Sequence, residues 1–274
     1  MFGDKVVIWE NDIGQSITFD NEDTLFVESI DMTGTAGIHT VESLAMADGQ
    51  VSVAHHLSAK TIPCSFAWYG EDDDGTMRNT LAQIFSPLQS GTLTVLTKQS
   101  GYSSSQQYQI DCYPQSVPVF KRDTNLNIWR FEVDFVADYP YWRKGVEKVV
   151  TLNGASVKID SQCPFDIAPV IYIPAKPDSI IVLLTCYRRN SSESWSTQTP
   201  AFTVAARNYA LWIDVKTMRV RKASGAYADQ VISVTADIDK ALIRYGENLF
   251  VCTGSGGAAD DPKLYYYDLS MGEV

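Results

Sequence analysis

The sequence has three histidines, no paired cysteine spacing, no dense run of Lys and Arg and no long apolar segment, and each shortage removes a class of function. A Ser/His/Asp hydrolase holds a His between nucleophile and carboxylate, yet His39, His55 and His56 all lie in or beside one poorly patterned stretch, and no GxSxG elbow occurs. Cys64, Cys112, Cys163, Cys186 and Cys252 are odd in number and lack both CxxC and CxH spacing, so buried, reduced thiols are expected and a zinc site is not. The longest wholly apolar run, Ile180 to Leu184, falls far short of the roughly 20 residues that span a bilayer, so no membrane insertion is expected. MFGDKVVIWEND at the N-terminus has no cationic start and apolar stretch of a secretory signal, and synthesis is expected to end in the cytosol. Tight nucleic-acid binding rests on Lys and Arg displacing counterions, and no patch here is basic enough.

Three weaker motifs also lapse on inspection. Asp72, Asp73, Asp74 and Gly75 fail the calcium-loop template because the position five before the glycine is Gly70. Gly254, Gly256 and Gly257 follow a strand pattern but no helix pattern follows them, which removes a phosphate-cradling reading. Asp237 and Asp239 share one face of a strand pattern, as turn-adjacent acids commonly do, and nothing else supports the carboxylate pair of a glycosidase. The chain is read as no enzyme, with no cofactor and no metal.

What is present is a β-rich chain of two-domain size. At 274 residues it can bury two cores, and its 14 Tyr, 11 Phe and 6 Trp favour sheet. Trp129, Phe131, Val133 and Phe135 alternate with Arg130, Glu132 and Asp134, an antiparallel strand with one wet face. Ile62, Cys64, Phe66 and Trp68 repeat the period, with Pro63 placing the strand at an edge or bulge. Tyr108, Ile110 and Cys112 give a third strand, and Val6 to Trp9, Leu25 to Ile30 and Leu93 to Thr97 complete a sheet of about six to eight. Met77, Leu81, Ile84 and Phe85 form one helical face, with Asp72 to Asp74 expected to cap the helix and Pro87 to stop it. A domain boundary is expected near residue 145, giving domains 1–145 and 146–274. The second half is all strand, including the hairpin Tyr209 to Lys222, a strand Ile232 to Ile238, Leu249 to Cys252 and Leu264 to Leu269, and this argues a β-sandwich.

Two features stand outside that pattern. The connection from Asp31 to Gln50 is longer than the usual 4 to 6 residues between strands. It reads either as a surface excursion with a short helix around Val41 to Ala47, or as a segment ordered against another subunit, with Thr33, Gly34, Gly37, His39, Glu42, Met46 and Gly49 as candidate inter-subunit residues. Charge is also unevenly placed: residues 1–145 carry 19 acids and 9 bases, net −10, whereas residues 146–274 carry 14 and 13, net −1.

The order of TIPCSFAWY, TMRNTLAQIFSP, GTLTVLT and IWRFEVDFVADYPYW, then APVIYIP, YALWIDVKTMRV, YGENLFVCTG and a final Tyr-rich strand, resembles the distal tail protein (Dit) family of long, non-contractile-tailed bacteriophages. The resemblance implies a mainly β fold, an N-terminal split β-barrel with one α-helix followed by a C-terminal galectin-like β-sandwich. It further implies a homo-hexameric ring at the virion tail tip, joined to the tail tube protein on one side and a tail-associated hub (lysin) protein on the other, anchoring receptor-binding proteins. The connection Arg188 to Pro200 is too short for an elaborate receptor arm. In such a ring six N-terminal halves would gather −60 around the channel, so DNA would pass without tight binding; Glu71, Asp72, Asp73 and Asp74 are the candidate channel-facing acids. The competing reading is a carbohydrate-binding, lectin-like sandwich that uses Trp195, Trp212 or Tyr265 to Tyr267.

Overall fold

The structure, a computed structural model, describes residues 5–20, 24–33, 37–43, 50–70, 75–97, 106–153, 156–176, 180–226, 238–254 and 261–271, with 37–43, 50–56 and 238–239 described as backbone alone. The chain forms two compact units, Met1–Gly145 with Ser270–Val274, and Val146–Leu269.

The first unit contains β1 (Lys5–Asn11), β2 (Ser16–Phe19), β3 (Leu25–Ile30), β4 (Gly37–Ser43), β5 (Gln50–Leu57), β6 (Lys60–Tyr69), α1 (Thr76–Ile84), β7 (Gly91–Thr97), β8 (Gln106–Pro114), β9 (Lys121–Asp123), β10 (Ile128–Ala137) and the start of β11 (Trp142–Thr151). Neighbours pair in the order β2-β1-β7-β8-β10-β6-β3, antiparallel throughout. The path curls on itself, with β2 meeting β3 and Asp20 N donating to Leu25 O at 2.9 Å. Inward residues from all seven strands share one core: Val7, Trp9, Phe19, Val27, Phe66, Leu93, Ile110 and Phe131. A row of rings runs through it, Phe19 stacking on Phe66 at 4.1 Å and Phe66 meeting Phe131 at 5.4 Å. Gly91 opens β7 because that strand approaches β1 closely; a Cβ there would stand 2.1 Å from Glu10 O.

Two expectations change in detail. Pro63 does not put β6 at an edge: β6 lies between β3 and β10. Pro63 O accepts from Asp31 N at 3.0 Å, so its N also faces the β3 side, just past the last residue of β3, where no strand partner asks for a donor. β3 does carry a register shift, between Val27 and Ser29, but it lies opposite Phe66 and Ser65 rather than Pro63. The helix packs Leu81, Ile84 and Phe85 into the core as the periodicity required, but its N-cap is Gly75 in the left-handed region (φ 74°), without a side-chain cap. Asp72 to Asp74 lie outside the described residues. At the other end Trp9 Nε1 donates to Ile84 O at 3.1 Å, tying β1 to an otherwise orphaned helix carbonyl.

The second unit continues β11 and adds β12 (Ser156–Ser161), β13 (Val170–Ile173), β14 (Ile181–Arg188), β15 (Thr199–Val204), β16 (Leu211–Asp214), β17 (Arg219–Lys222), β18 (Gly246–Thr253) and β19 (Lys263–Ser270). One sheet runs β12-β18-β14-β15, and in the other β17-β16-β13-β19 are neighbours. Ile159, Leu183, Phe202 and Phe250 from the first sheet and Ile171, Leu211, Ile213 and Leu264 from the second belong to one core, which is a β-sandwich. The β16–β17 turn is fixed by Asp214, whose Oδ1 accepts from Lys216 N (2.9 Å) and Thr217 N (3.2 Å), with Met218 at positive φ. The expected strand Ile232 to Ile238 lies outside the described residues apart from Ile238, which opens a 3-10 turn ending at Ala241. Gly256 and Gly257 also lie outside them. In β18, Glu247 is buried between Lys158 and Arg188, which hold its carboxyl below the usual carboxylate range.

Candidate assembly surfaces

The long connection after β3 is a β-hairpin. β4 and β5 pair only with each other, Gly37 opposite Leu57, His39 opposite His55 and Glu42 opposite Val51, with an irregularity between Thr40 and Val41. Val41 to Ser43 are therefore strand rather than the start of a helix. Of the candidate inter-subunit residues, Gly37, His39 and Glu42 lie on β4 and Thr33 precedes it, while Gly34, Met46 and Gly49 lie outside the described residues. The hairpin is built outside the order of strands that encloses the first unit's core, so its backbone is not required to close that core.

Its base is tightly held. Asp31 Oδ1 accepts from Thr33 N (2.8 Å) and Thr33 Oγ1 (2.6 Å), and these bonds hold the Asp31 carboxyl below its ordinary range. Between them Met32 is buried, and its carbonyl accepts from Lys60 Nζ at 2.5 Å. The same ammonium donates to Met271 O at 2.6 Å and stands 5.9 Å from the ring centre of Trp142. Lys60 is fully buried, and burial lowers its pKa. The sequence reading overlooked Lys60, although it continues the inward series Ile62, Cys64, Phe66 and Trp68 by one step of two.

The wet face of β10 carries the second surface. Arg130 Nε binds Glu28 at 2.7 Å and its Nη1 binds Asp123 at 3.3 Å. Glu132 and Asp134 follow on the same face, and the four carboxylates, with Lys121, Arg122 and Arg130, line a groove of about 530 Å³. Exposed Val117 and Val119 form part of its wall. Glu71, Asp72, Asp73 and Asp74 lie outside the described residues, immediately ahead of Gly75.

The remaining chemistry is quiet. The five cysteines are free and buried, and burial pushes the thiols of Cys64 and Cys112 upward, away from nucleophilic thiolate. Among the described residues no three His, Cys, Asp or Glu side chains are grouped to hold a metal ion. A cavity of about 200 Å³ in the second unit is lined by Thr185, Tyr187, Arg244 and Asn248, but Asn248 is occupied with its own turn, accepting from Arg244 N and donating to Arg244 O and Gly246 O. No described helix is long and apolar enough to cross a membrane.

No protein-family profile matches the sequence, and no curated protein matches it. Solved structures do match. The chain is similar to the SPP1 Dit protein, described as a paradigm of the hub adsorption apparatus in phages infecting Gram-positive bacteria, with a TM-score of 0.61 at 11% identity over 96% of this chain and 99% of that one. It is also similar to a chain of the phage P2 baseplate in its activated conformation with Ca, with a TM-score of 0.52 at 7% identity over 98% and 99% of the two chains. The mainly β fold expected from the sequence is thus the fold of a Dit hub protein, matched from end to end.

Proposed function

We propose that the chain is a structural protein of a phage tail tip, a Dit-like building block that forms a six-membered ring around a DNA channel. The observation that carries this reading is the end-to-end fold match, which spans both units and leaves only 1% of the SPP1 Dit chain uncovered. In this reading domains 1–145 and 146–274 divide the work. The first closes the ring and meets the tail tube protein and the hub protein, and the second faces outward to anchor receptor-binding proteins. The role is architectural rather than catalytic, and the site of action is the virion tail tip after assembly in the host cytoplasm.

Three features of the first unit fit this role. The β4–β5 hairpin, carrying Gly37, His39 and Glu42 and held at its base next to Thr33, would lie against a neighbouring copy, with Gly34, Met46 and Gly49 as further candidates in the same stretch of sequence. The net charge of −10 on residues 1–145, Glu71 and Asp72 to Asp74 included, repels phosphate and lets the genome slide. The four carboxylates around Arg130 offer a polar surface for a neighbour.

Replacing residues 38–56 by Gly-Ser-Gly-Ser tests the hairpin's part. Because Gly37 is paired with Leu57, the two ends lie close enough for a short bridge. Light scattering should then give the mass of one shortened chain, below the parent's 30.4 kDa, while circular dichroism retains the β spectrum. A variant that still assembles like the parent chain removes the hairpin from the interface.

A further inference from the structure

We infer that the outer face of the second unit's β17-β16-β13-β19 sheet is a binding platform for an extended anionic polysaccharide. The residues on either side of the platform positions point inward: Ile171, Ile173, Leu211, Ile213 and Leu264 are all at most 1% exposed. Alternation therefore turns Tyr172, Trp212 and Tyr265 outward. The rings lie on three consecutive strands, Tyr172 4.9 Å from Trp212 and Trp212 5.4 Å from Tyr265 between ring centres, and all three remain partly exposed.

Register adds charge to the rings. Arg221 is directly opposite Trp212, Lys263 directly opposite Tyr172, and Arg219 opposite Asp214. Directly opposed residues share a face, so among the described residues three cations and one acid share this face with the rings, within a chain whose overall charge is −11. That local excess selects an anionic occupant. The kind of occupant follows from what else the face offers. None of the large exposed aliphatic side chains among the described residues lies on β13, β16, β17 or β19, so the face presents rings and charges rather than an aliphatic patch. Aromatic faces with guanidinium and ammonium groups beside them stack on the C–H faces of sugar rings and pair with carboxylates or phosphates along the same polymer. The row runs across the strands, so an occupying chain lies across the sheet rather than along it. This inference rests on the second unit's geometry and is independent of ring formation.

Affinity electrophoresis of the full chain in gels cast with polygalacturonate, neutral dextran or polyglutamate tests it. The parent chain should be retarded by polygalacturonate and much less by the other two, because dextran lacks charge and polyglutamate lacks sugar rings. Trp212→Ala should weaken the retardation about tenfold, with Tyr265→Ala as the independent variant should the first fail to fold. Arg221→Gln and added salt should weaken it further. Absence of retardation by polygalacturonate, equal retardation by dextran or polyglutamate, or undiminished retardation of both folded ring variants overturns the proposal.

Discussion

Truncating Phe66 to alanine should destabilise the first unit by about 3–5 kcal/mol, the range for removing a large buried aromatic ring. Phe66 is fully buried at the middle of β6, stacked on Phe19 and in reach of Phe85 and Phe131, so the hole would open where strands from both ends of the curled sheet meet the helix. Relaxation is restricted because β6 is paired on both sides. Phe120 is the internal comparison: it is only partly buried, against Trp68 and Phe131, and its truncation should cost clearly less. Guanidinium denaturation of the three proteins measures both. Equal losses for Phe66→Ala and Phe120→Ala would show that the ring row does not concentrate the stability of this unit.

The second large effect is at Lys60. Lys60→Ala removes the donor to two carbonyls, at about 1–3 kcal/mol for each one left unsatisfied, and adds a cavity. Lys60→Met fills the same space without a donor and without a buried charge, so it should recover a substantial part of the loss. The pH dependence separates charge from packing. Burial holds the folded-state pKa below the ordinary 10.5, so between those two values the unfolded chain binds more protons than the folded one. Stability contributed at this site therefore rises as pH climbs through that window toward 10.5, and the rise should be absent from Lys60→Met. Denaturation midpoints of parent and variant from neutral pH to pH 10.5 read this directly, and parallel curves would contradict it. Because the ammonium binds Met32 and Met271, the same substitutions loosen both the base of the β4–β5 hairpin and the last described turn of the chain.

The sequence exposes those parts of the fold in which burial repeats with a single period. β10 was readable because Trp129, Phe131, Val133 and Phe135 are all buried while Glu132 and Asp134 are exposed. The helix was readable because Leu81, Ile84 and Phe85 fall on one stripe. A strand ending at His55 and His56 is readable, and it is β5, but β4 is not, because Gly37–Ser43 shows no clean alternation of apolar and polar types, the pattern that half-burial imprints. Pro63 suggests an edge or a bulge, yet β6 is internal, because a proline bars only one side of a strand at one residue and the end of β3 places that side where no ladder bond is needed. Lys60 was hidden because its side chain reaches main-chain carbonyls, 28 and 211 residues away, and carbonyls carry no residue signature. The groove at Arg130 was half visible: the wet face of β10 is a local pattern, but its partners Glu28 and Asp123 arrive from β3 and β9.

The proposed ring rests on a fold shared at 11% identity with a Dit hub protein and on the concentration of acidic charge in residues 1–145. The oligomeric mass of the purified chain tests it most directly. Six copies of 30.4 kDa give a particle of about 180 kDa by light scattering. A uniform species at 30.4 kDa, at every protein concentration reached, would contradict it.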